Sequence, residues 1–193
     1  MKICVFGAAS NEIDKSYIEA VENLGELMAK RGHSLVFGAG GHGVMGAAAR
    51  GAYKGGGKIY GVIPKFFDDE NVELIFGKCD ELIFTETMAQ RKAKMEDIAD
   101  AFIIAPGGIG TFEEFFEVLT LKQLGRHVKP IVIYDINGYY KDLLKFLDVA
   151  KEEKFIRDNL SLIYGYEDSA EKVLDYIEND KQIKHNVHEL KNG

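Results

Sequence analysis

The segment Pro106-Gly107-Gly108-Ile109-Gly110-Thr111-Phe112-Glu113-Glu114 follows an apolar run at 101–105 and opens a stretch of helical spacing. Its three glycines let backbone N–H groups converge without Cβ interference, Thr111 adds a hydroxyl, and the dipole of a helix starting here favours an anion. A phosphate group fits that chemistry. A purely structural reading competes with it, because Thr111-x-x-Glu114 also spells the capping box S/T-x-x-E, in which both side chains serve the helix end alone. Phe112, Phe115, Phe116 and Leu119 recur as a core stripe, which leaves Glu113, Glu114 and Glu117 directed elsewhere, near the ligand end of a sheet. Upstream, Arg91 and Lys92 open another helical segment. They are either a solvated basic turn or cations reaching the same ligand edge, with arginine supplying a planar bidentate donor set.

A second glycine loop, Gly38-Ala39-Gly40-Gly41-His42-Gly43, matches the spacing G-x-G-x-x-G. The acid that would hold a dinucleotide ribose is expected roughly 20 residues on, but 57–63 reads Gly-Lys-Ile-Tyr-Gly-Val-Ile, with neither Asp nor Glu. An NAD-dependent oxidoreductase is therefore disfavoured. Val44-Met45 stands after Gly43 where a Walker A loop needs Lys and Ser or Thr, which excludes ATP hydrolysis by that machinery. Ligand contact and tight helix packing both remain open for these glycines.

These loops need strands before them and helices after them, and the hydrophobic pattern supplies both. Near-continuous apolar runs at 2–6, 34–37, 58–63, 101–105 and 131–134, with a weaker one at 82–84, read as strands. Helical spacing covers 16–31, 44–54, 87–99, 111–124, 139–152 and 169–177. Buried strands alternating with helices imply an α/β fold, a single Rossmann-like doubly wound domain whose mainly parallel sheet is flanked by helices. Ligands in such folds sit beyond the carboxyl ends of the strands. The domain is expected to span 1–180, with a polar C-terminal tail over 181–193 that frays. The segment 65–80 has no clear period and reads as an ordered active-site loop, a short helix or a surface connection.

The 193 residues suit one domain, and the excess of acids, a formal charge of −7, argues against a nucleic-acid surface. No apolar run approaches the ~20 residues of a membrane span, and no export signal is visible, so no membrane partner is expected. Two cysteines, Cys4 and Cys79, make a disulfide framework unlikely on composition and point to a reducing cytoplasm. The histidines His33, His42, His127, His185 and His188 form no metal signature, and His185-x-x-His188 falls in the expected tail. Neither a metal nor a cofactor is expected.

Taken together, the Pro106 to Glu114 segment, Met88-x-x-Arg91-Lys92 and Gly40-Gly41-x-Gly43-x-Met45-Gly46 resemble the LONELY GUY (LOG) family. Its members are phosphoribohydrolases that release free base from nucleoside 5′-monophosphates and are best known for activating cytokinins. The resemblance implies catalytic roles for Arg91 and Glu114. It implies a substrate site formed by Arg91, Lys92, Gly107, Gly108, Gly110, Thr111, Glu113, Met88, Gly41, Met45 and Ser10, with the glycines and Thr111 on the 5′-phosphate. It also implies a homodimer with the site near the subunit interface. Two positions depart from the family pattern: Ala89 stands where histidine is frequent, and the first loop reads Gly7-Ala8-Ala9-Ser10 where Gly-Ser-Ser is usual. Some homologues carry a lysine decarboxylase label, yet no lysine here stands out as a pyridoxal-phosphate Schiff base. A non-catalytic nucleotide-binding or sensing protein of the same fold is the alternative to the enzyme.

Overall fold

The computed structural model describes residues 1–69, 74–184 and 190. The strands are β1 (Lys2–Phe6), β2 (Ser34–Phe37), β3 (Ile59–Pro64), β4 (Glu81–Thr85), β5 (Ala101–Ile104), β6 (Ile131–Tyr134) and β7 (Gly165–Glu167). Among the described residues these seven form one sheet in the order β4-β3-β2-β1-β5-β6-β7, with every pair parallel. The helices are α1 (Lys15–Lys30), α2 (Gly43–Lys54), α3 (Lys65–Asp69), α4 (Met88–Ile98), α5 (Ile109–Gln123), α6 (Lys141–Glu152) and α7 (Ala170–Asn179). This is the doubly wound α/β architecture expected from the alternating pattern. No helix among the described residues is long and apolar enough to cross a membrane.

Strand alternation divides the core. Ile3 and Val5 face the layer containing α1, α2 and α7, whereas Cys4 and Phe6 face the layer containing α4 and α5. The strand order reverses between β1 and β5, so the loops leaving those two strands diverge and open a crevice at the carboxyl edge. Both glycine loops and the residues after β1 lie on that edge.

Several local expectations need correction. The strand at 82–84 extends to Glu81–Thr85 because its whole length pairs with β3. Strand β7 has no counterpart in the sequence pattern, since three residues on a sheet edge carry no measurable period. The helix expected at 139 begins at Lys141, after a 3₁₀ turn at Ile136–Gly138 in which Asn137 and Gly138 adopt φ of 58° and 73°. Part of the 65–80 segment is α3, and beyond it Ile75 bridges Gly40 while the Phe76 amide donates to Ala39 O at 2.8 Å. Residues 70–73 lie outside the described residues. So do His185 and His188, and with them most of the expected tail. Leu190, however, is buried in the α4/α5 layer and its carbonyl accepts from Gln123 Nε2 at 2.9 Å, so that position is anchored rather than frayed.

Helices α1 and α2 pack backbone to backbone, and small residues make this possible. A Cβ on Gly25 would lie 2.3 Å from Ala48 O, and one on Gly51 would lie 1.9 Å from Glu22 O. Neither obstacle is a flexible side chain. Glycine costs up to about 1 kcal/mol in a helix interior, and here the close approach it permits offsets that cost. Gly51→Ala should destabilise the fold by roughly 1–3 kcal/mol or more, despite alanine's better helix propensity. Thermal denaturation checks this: a rise in Tm would mean the two helices can separate freely.

Candidate active site

The first turn of α5 differs from that of α2 in how its amides are used. At α2, the Gly43 amide donates to Asn11 Oδ1 at 2.9 Å, and the Val44 and Met45 amides donate to Ala8 O at 2.8 and 3.2 Å. Gly41 donates its own amide to Leu74 O at 2.6 Å. That glycine loop is closed on itself, with Gly43 at φ 57° and a would-be Cβ 2.5 Å from Ala8 O. At α5 the N-cap is Gly108, which offers no side-chain cap, and the amides of 107–111 have no acceptor among the described residues. Cβ atoms at Gly108 and Gly110 would meet nothing within 4 Å, so the turn is open around them. Orphan amides at a helix start suit an anion.

The capping-box reading is overturned by this geometry. The helix begins two residues before Thr111, which is buried with its hydroxyl packed against Gly107: a Cβ on Gly107 would fall 2.1 Å from Thr111 Oγ1. The core stripe is also displaced. Phe115, Val118 and Leu119 are buried, whereas Phe112 is half-buried and Phe116 is exposed. This turns Glu114 toward the α4 side, where Arg91 lies.

Arg91 is only 5% exposed. Its Nε donates to Val62 O at 3.2 Å and its Nη2 to Gly38 O at 3.3 Å, while Met88 Sδ lies 3.9 Å from Nη1. The Phe67 ring sits 5.9 Å from the guanidinium carbon. Two strand-end carbonyls thus hold the guanidinium at the carboxyl edge of β2 and β3. Thr87 caps α4 by accepting from the Gln90 amide at 3.1 Å, which sets the helix register that aims Arg91 inward. Glycine at 38 leaves room for this seat: a Cβ there would sit 1.6 Å from Nη2, so the guanidinium would have to move. Met45 is buried beneath the same loop.

Lys92 is spoken for. Its Nζ bonds Glu113 and lies 2.6 Å from Glu117 Oε2, bridging α4 to α5. Desolvation alone would lower its pKa, but the bonds to Glu113 and Glu117 outweigh this and leave it above the ordinary lysine value. Glu114 is the opposite case. Burial of its carboxyl pushes it from an ordinary 4.5 up to about 7, against the lowering influence of Arg91 and with Glu113 adding to the rise. Among the described residues it has no hydrogen bond or ion pair. A half-buried carboxyl with no partner among the described residues, beside an arginine and a free-amide cradle, is a reactive arrangement.

The structure therefore brings Arg91, Met88, Lys92, Glu113 and Glu114 to one edge with Gly107, Gly108, Gly110 and Thr111. Gly41 and Ser10 share the edge but are internally engaged: the Gly41 amide by Leu74, and Ser10 Oγ by the Glu12 amide at 3.1 Å. Sequence reasoning missed Asn11, which closes the α2 end, and Phe67, which flanks Arg91. It also missed Tyr139, whose phenol donates to Gly107 O at 2.6 Å. The Asn137-Gly138 turn signal at the end of β6 marks the neighbourhood of that tyrosine.

These features define a doubly wound α/β protein with a candidate anion-binding active site at its switch point. A family model described as "possible lysine decarboxylase" matches residues 45–177. The chain is 38% identical over 177 residues to the cytokinin riboside 5′-monophosphate phosphoribohydrolase LOG2 of Arabidopsis thaliana, covering 92% of this chain and 82% of that protein. It is 43% identical over 155 residues to LOG7 of the same plant, covering 80% and 70%. Against the probable enzyme LOGL3 of Oryza sativa subsp. japonica it is 39% identical over 177 residues, covering 92% and 83%. Among solved structures, the molybdenum cofactor carrier protein of Chlamydomonas reinhardtii superposes with a TM-score of 0.70 at 21% identity, over 92% of this chain and 95% of that one. The molybdenum cofactor binding protein of Rippkaea orientalis gives 0.67 at 22%, over 92% and 93%. These last two likenesses concern the fold alone. The chain belongs to the LONELY GUY (LOG) family.

The unpaired Glu114 carboxyl has a thermodynamic consequence. Its folded pKa of about 7 exceeds the ordinary 4.5, so the folded chain holds the extra proton between these values and stability falls as pH rises across them. Glu114→Gln should therefore stabilise the fold by on the order of 2–3 kcal/mol near pH 8, a gain that vanishes below the unfolded value. Urea denaturation at both pH values measures it, and equal gains at both would contradict the burial account.

Proposed function

We propose that the chain is a nucleoside 5′-monophosphate phosphoribohydrolase, hydrolysing the N-glycosidic bond of AMP or an N6-modified (cytokinin) AMP to free base and ribose 5-phosphate. The observation that carries this reading is the pairing, on one helix, of an open amide cradle with a half-buried Glu114 that has no hydrogen-bond or ion-pair partner among the described residues. Family membership supports the same chemistry. In the proposed mechanism the amides of 107–111 take the 5′-phosphate, and that remote contact positions the sugar. As the C1′–N bond breaks, its electron pair leaves with the base and positive charge builds at C1′. The Glu114 carboxylate stabilises that charge and accepts a proton from the attacking water, whose oxygen bonds to C1′; the departing base takes up a proton from solvent, to which Glu114 afterwards returns the one it accepted. Arg91, its guanidinium fixed by two carbonyls, lines the nucleotide site, with Met88 at its mouth. Lys92 and Glu113 form its α4/α5 wall.

The decarboxylase description finds less support in the side chains. A Schiff-base lysine must present a neutral amine, whereas Lys92 is held protonated by two carboxylates. Lys122 has a lowered pKa through burial, but it lies in the last turn of α5, roughly 16 Å along the helix from Thr111 at 1.5 Å per residue.

The reading extends to a cytoplasmic homodimer, with a nucleoside monophosphate as small-molecule partner and neither nucleic acid nor membrane. Ile109, 81% exposed beside the cradle, and Phe116 two turns further along the same face of α5 support a subunit contact there. Sedimentation of the purified protein as two chains, lost in Phe116→Glu, is the expected result.

Purified protein should release base from AMP. Glu114→Gln should lower kcat by roughly 10²–10⁴, and Arg91→Ala should also impair turnover. Because the ionised carboxylate is the active form, kcat/KM should rise with pH through about 7, and Glu114→Gln should lose that limb. Ligand binding without base release from any monophosphate would instead identify a nucleotide-sensing protein. Full turnover in both variants would overturn the roles assigned to them.

A further inference from the structure

Three consecutive carbonyl oxygens of the turn between β5 and α5 are held by donors from separate parts of the chain. Ala105 O accepts from Tyr140 Oη at 2.7 Å, Pro106 O from the Ala8 amide at 3.1 Å, and Gly107 O from Tyr139 Oη at 2.6 Å. Within a trans peptide the C=O and the next N–H point in opposite directions. Holding Pro106 O therefore aims the Gly107 N–H, and holding Gly107 O aims the Gly108 N–H. Glycines on either side leave the 107–108 peptide plane unusually free to rotate, so a donor on its carbonyl selects one orientation from several.

The two tyrosines are themselves well anchored. The Tyr140 amide donates to Asp135 Oδ1 at 2.7 Å, and the other carboxylate oxygen of Asp135 accepts the Tyr166 phenol. The Tyr139 and Tyr140 rings meet edge-on at 5.0 Å between centroids, and Tyr139 packs edge-on against Tyr17 at 5.9 Å. The left-handed Asn137 and Gly138 turn the chain sharply enough for both successive phenols to reach the turn. Burial raises the Tyr140 phenol, which keeps it a donor.

We propose that Tyr139 is a positioning residue for the anion site: seated on Tyr140 and Tyr17, it holds the Gly107 carbonyl so that the Gly108 amide is aimed into the site before ligand arrives. The inference rests on reading this turn as the seat of the substrate phosphate. Its energetic role is preorganisation, since an amide already in place needs no reorientation on binding.

Tyr139→Phe in the full chain removes the donor and keeps the ring. Calorimetric titration with ribose 5-phosphate should show Kd raised about 3- to 10-fold, the range of one net hydrogen bond. The KM for AMP should rise similarly while kcat changes less than about 2-fold, because only one of several phosphate contacts is loosened and the others still position the sugar. In ligand-free protein the Gly108 amide, which has no acceptor among the described residues, should show a lower NMR order parameter in the variant, a readout that stands even if the variant is less stable overall. Unchanged Kd with an unchanged Gly108 order parameter would overturn the proposal, as would a fall in kcat at constant KM. Wild-type protein that binds no ribose 5-phosphate would overturn the phosphate reading, and the anion role of Tyr139 with it. Binding by wild type that Tyr139→Phe matches overturns the tyrosine's role alone.

Discussion

The reversal of strand order between β1 and β5 governs where chemistry can occur in this protein. Neighbouring connections elsewhere in the sheet run to the same side and cover one another, but the loops after these two strands part and leave the carboxyl edge open. The Ala8 amide spans the gap to Pro106 O, and Ala8 O in turn takes two amides from the start of α2. One short loop therefore closes the first glycine turn and steadies the second. What remains unsatisfied is the start of α5, and an unsatisfied row of amides at a helix dipole's positive end is an electrostatic demand that an anion can meet.

The carboxylates around this site divide by partnership. Glu113 and Glu117 share Lys92 and brace α4 against α5. Glu114, one residue away from Glu113, has no ion pair among the described residues, and burial raises its pKa against the lowering influence of Arg91. A helix advances about 100° per residue, so adjacent glutamates necessarily enter different environments. The same local charge density thus supplies a structural brace and a candidate catalytic group.

Placement of Arg91 shows how much a single glycine carries. The guanidinium occupies the space a side chain at position 38 would fill, and it is fixed there by the carbonyls of Gly38 and Val62. A glycine pattern that resembles a dinucleotide fingerprint in one dimension serves, in three, as a seat for an arginine and as backbone packing between helices.

The amino-acid sequence by itself determined the α/β class, most element positions, and the segment from Pro106 to Glu114 as the candidate chemical centre. Buried parallel strands write continuous apolar runs, and phosphate-sized turns demand glycine, so both are local signals. It also marked Arg91 and Glu114 through their family motif. Tertiary structure alone decided which glycine loop is open, because the acceptors that close the first come from Ala8, Asn11 and Leu74, distant in sequence. It decided against a capping box, since the helix start depends on the turn from β5, and it revealed β7, whose three residues acquire strand character only by pairing with β6. The ionisation of Glu114 and the reach of Tyr139 to Gly107 belong to the same category. Burial, partner choice and long-range hydrogen bonds are properties of neighbours brought together by the fold, and no residue spacing records them.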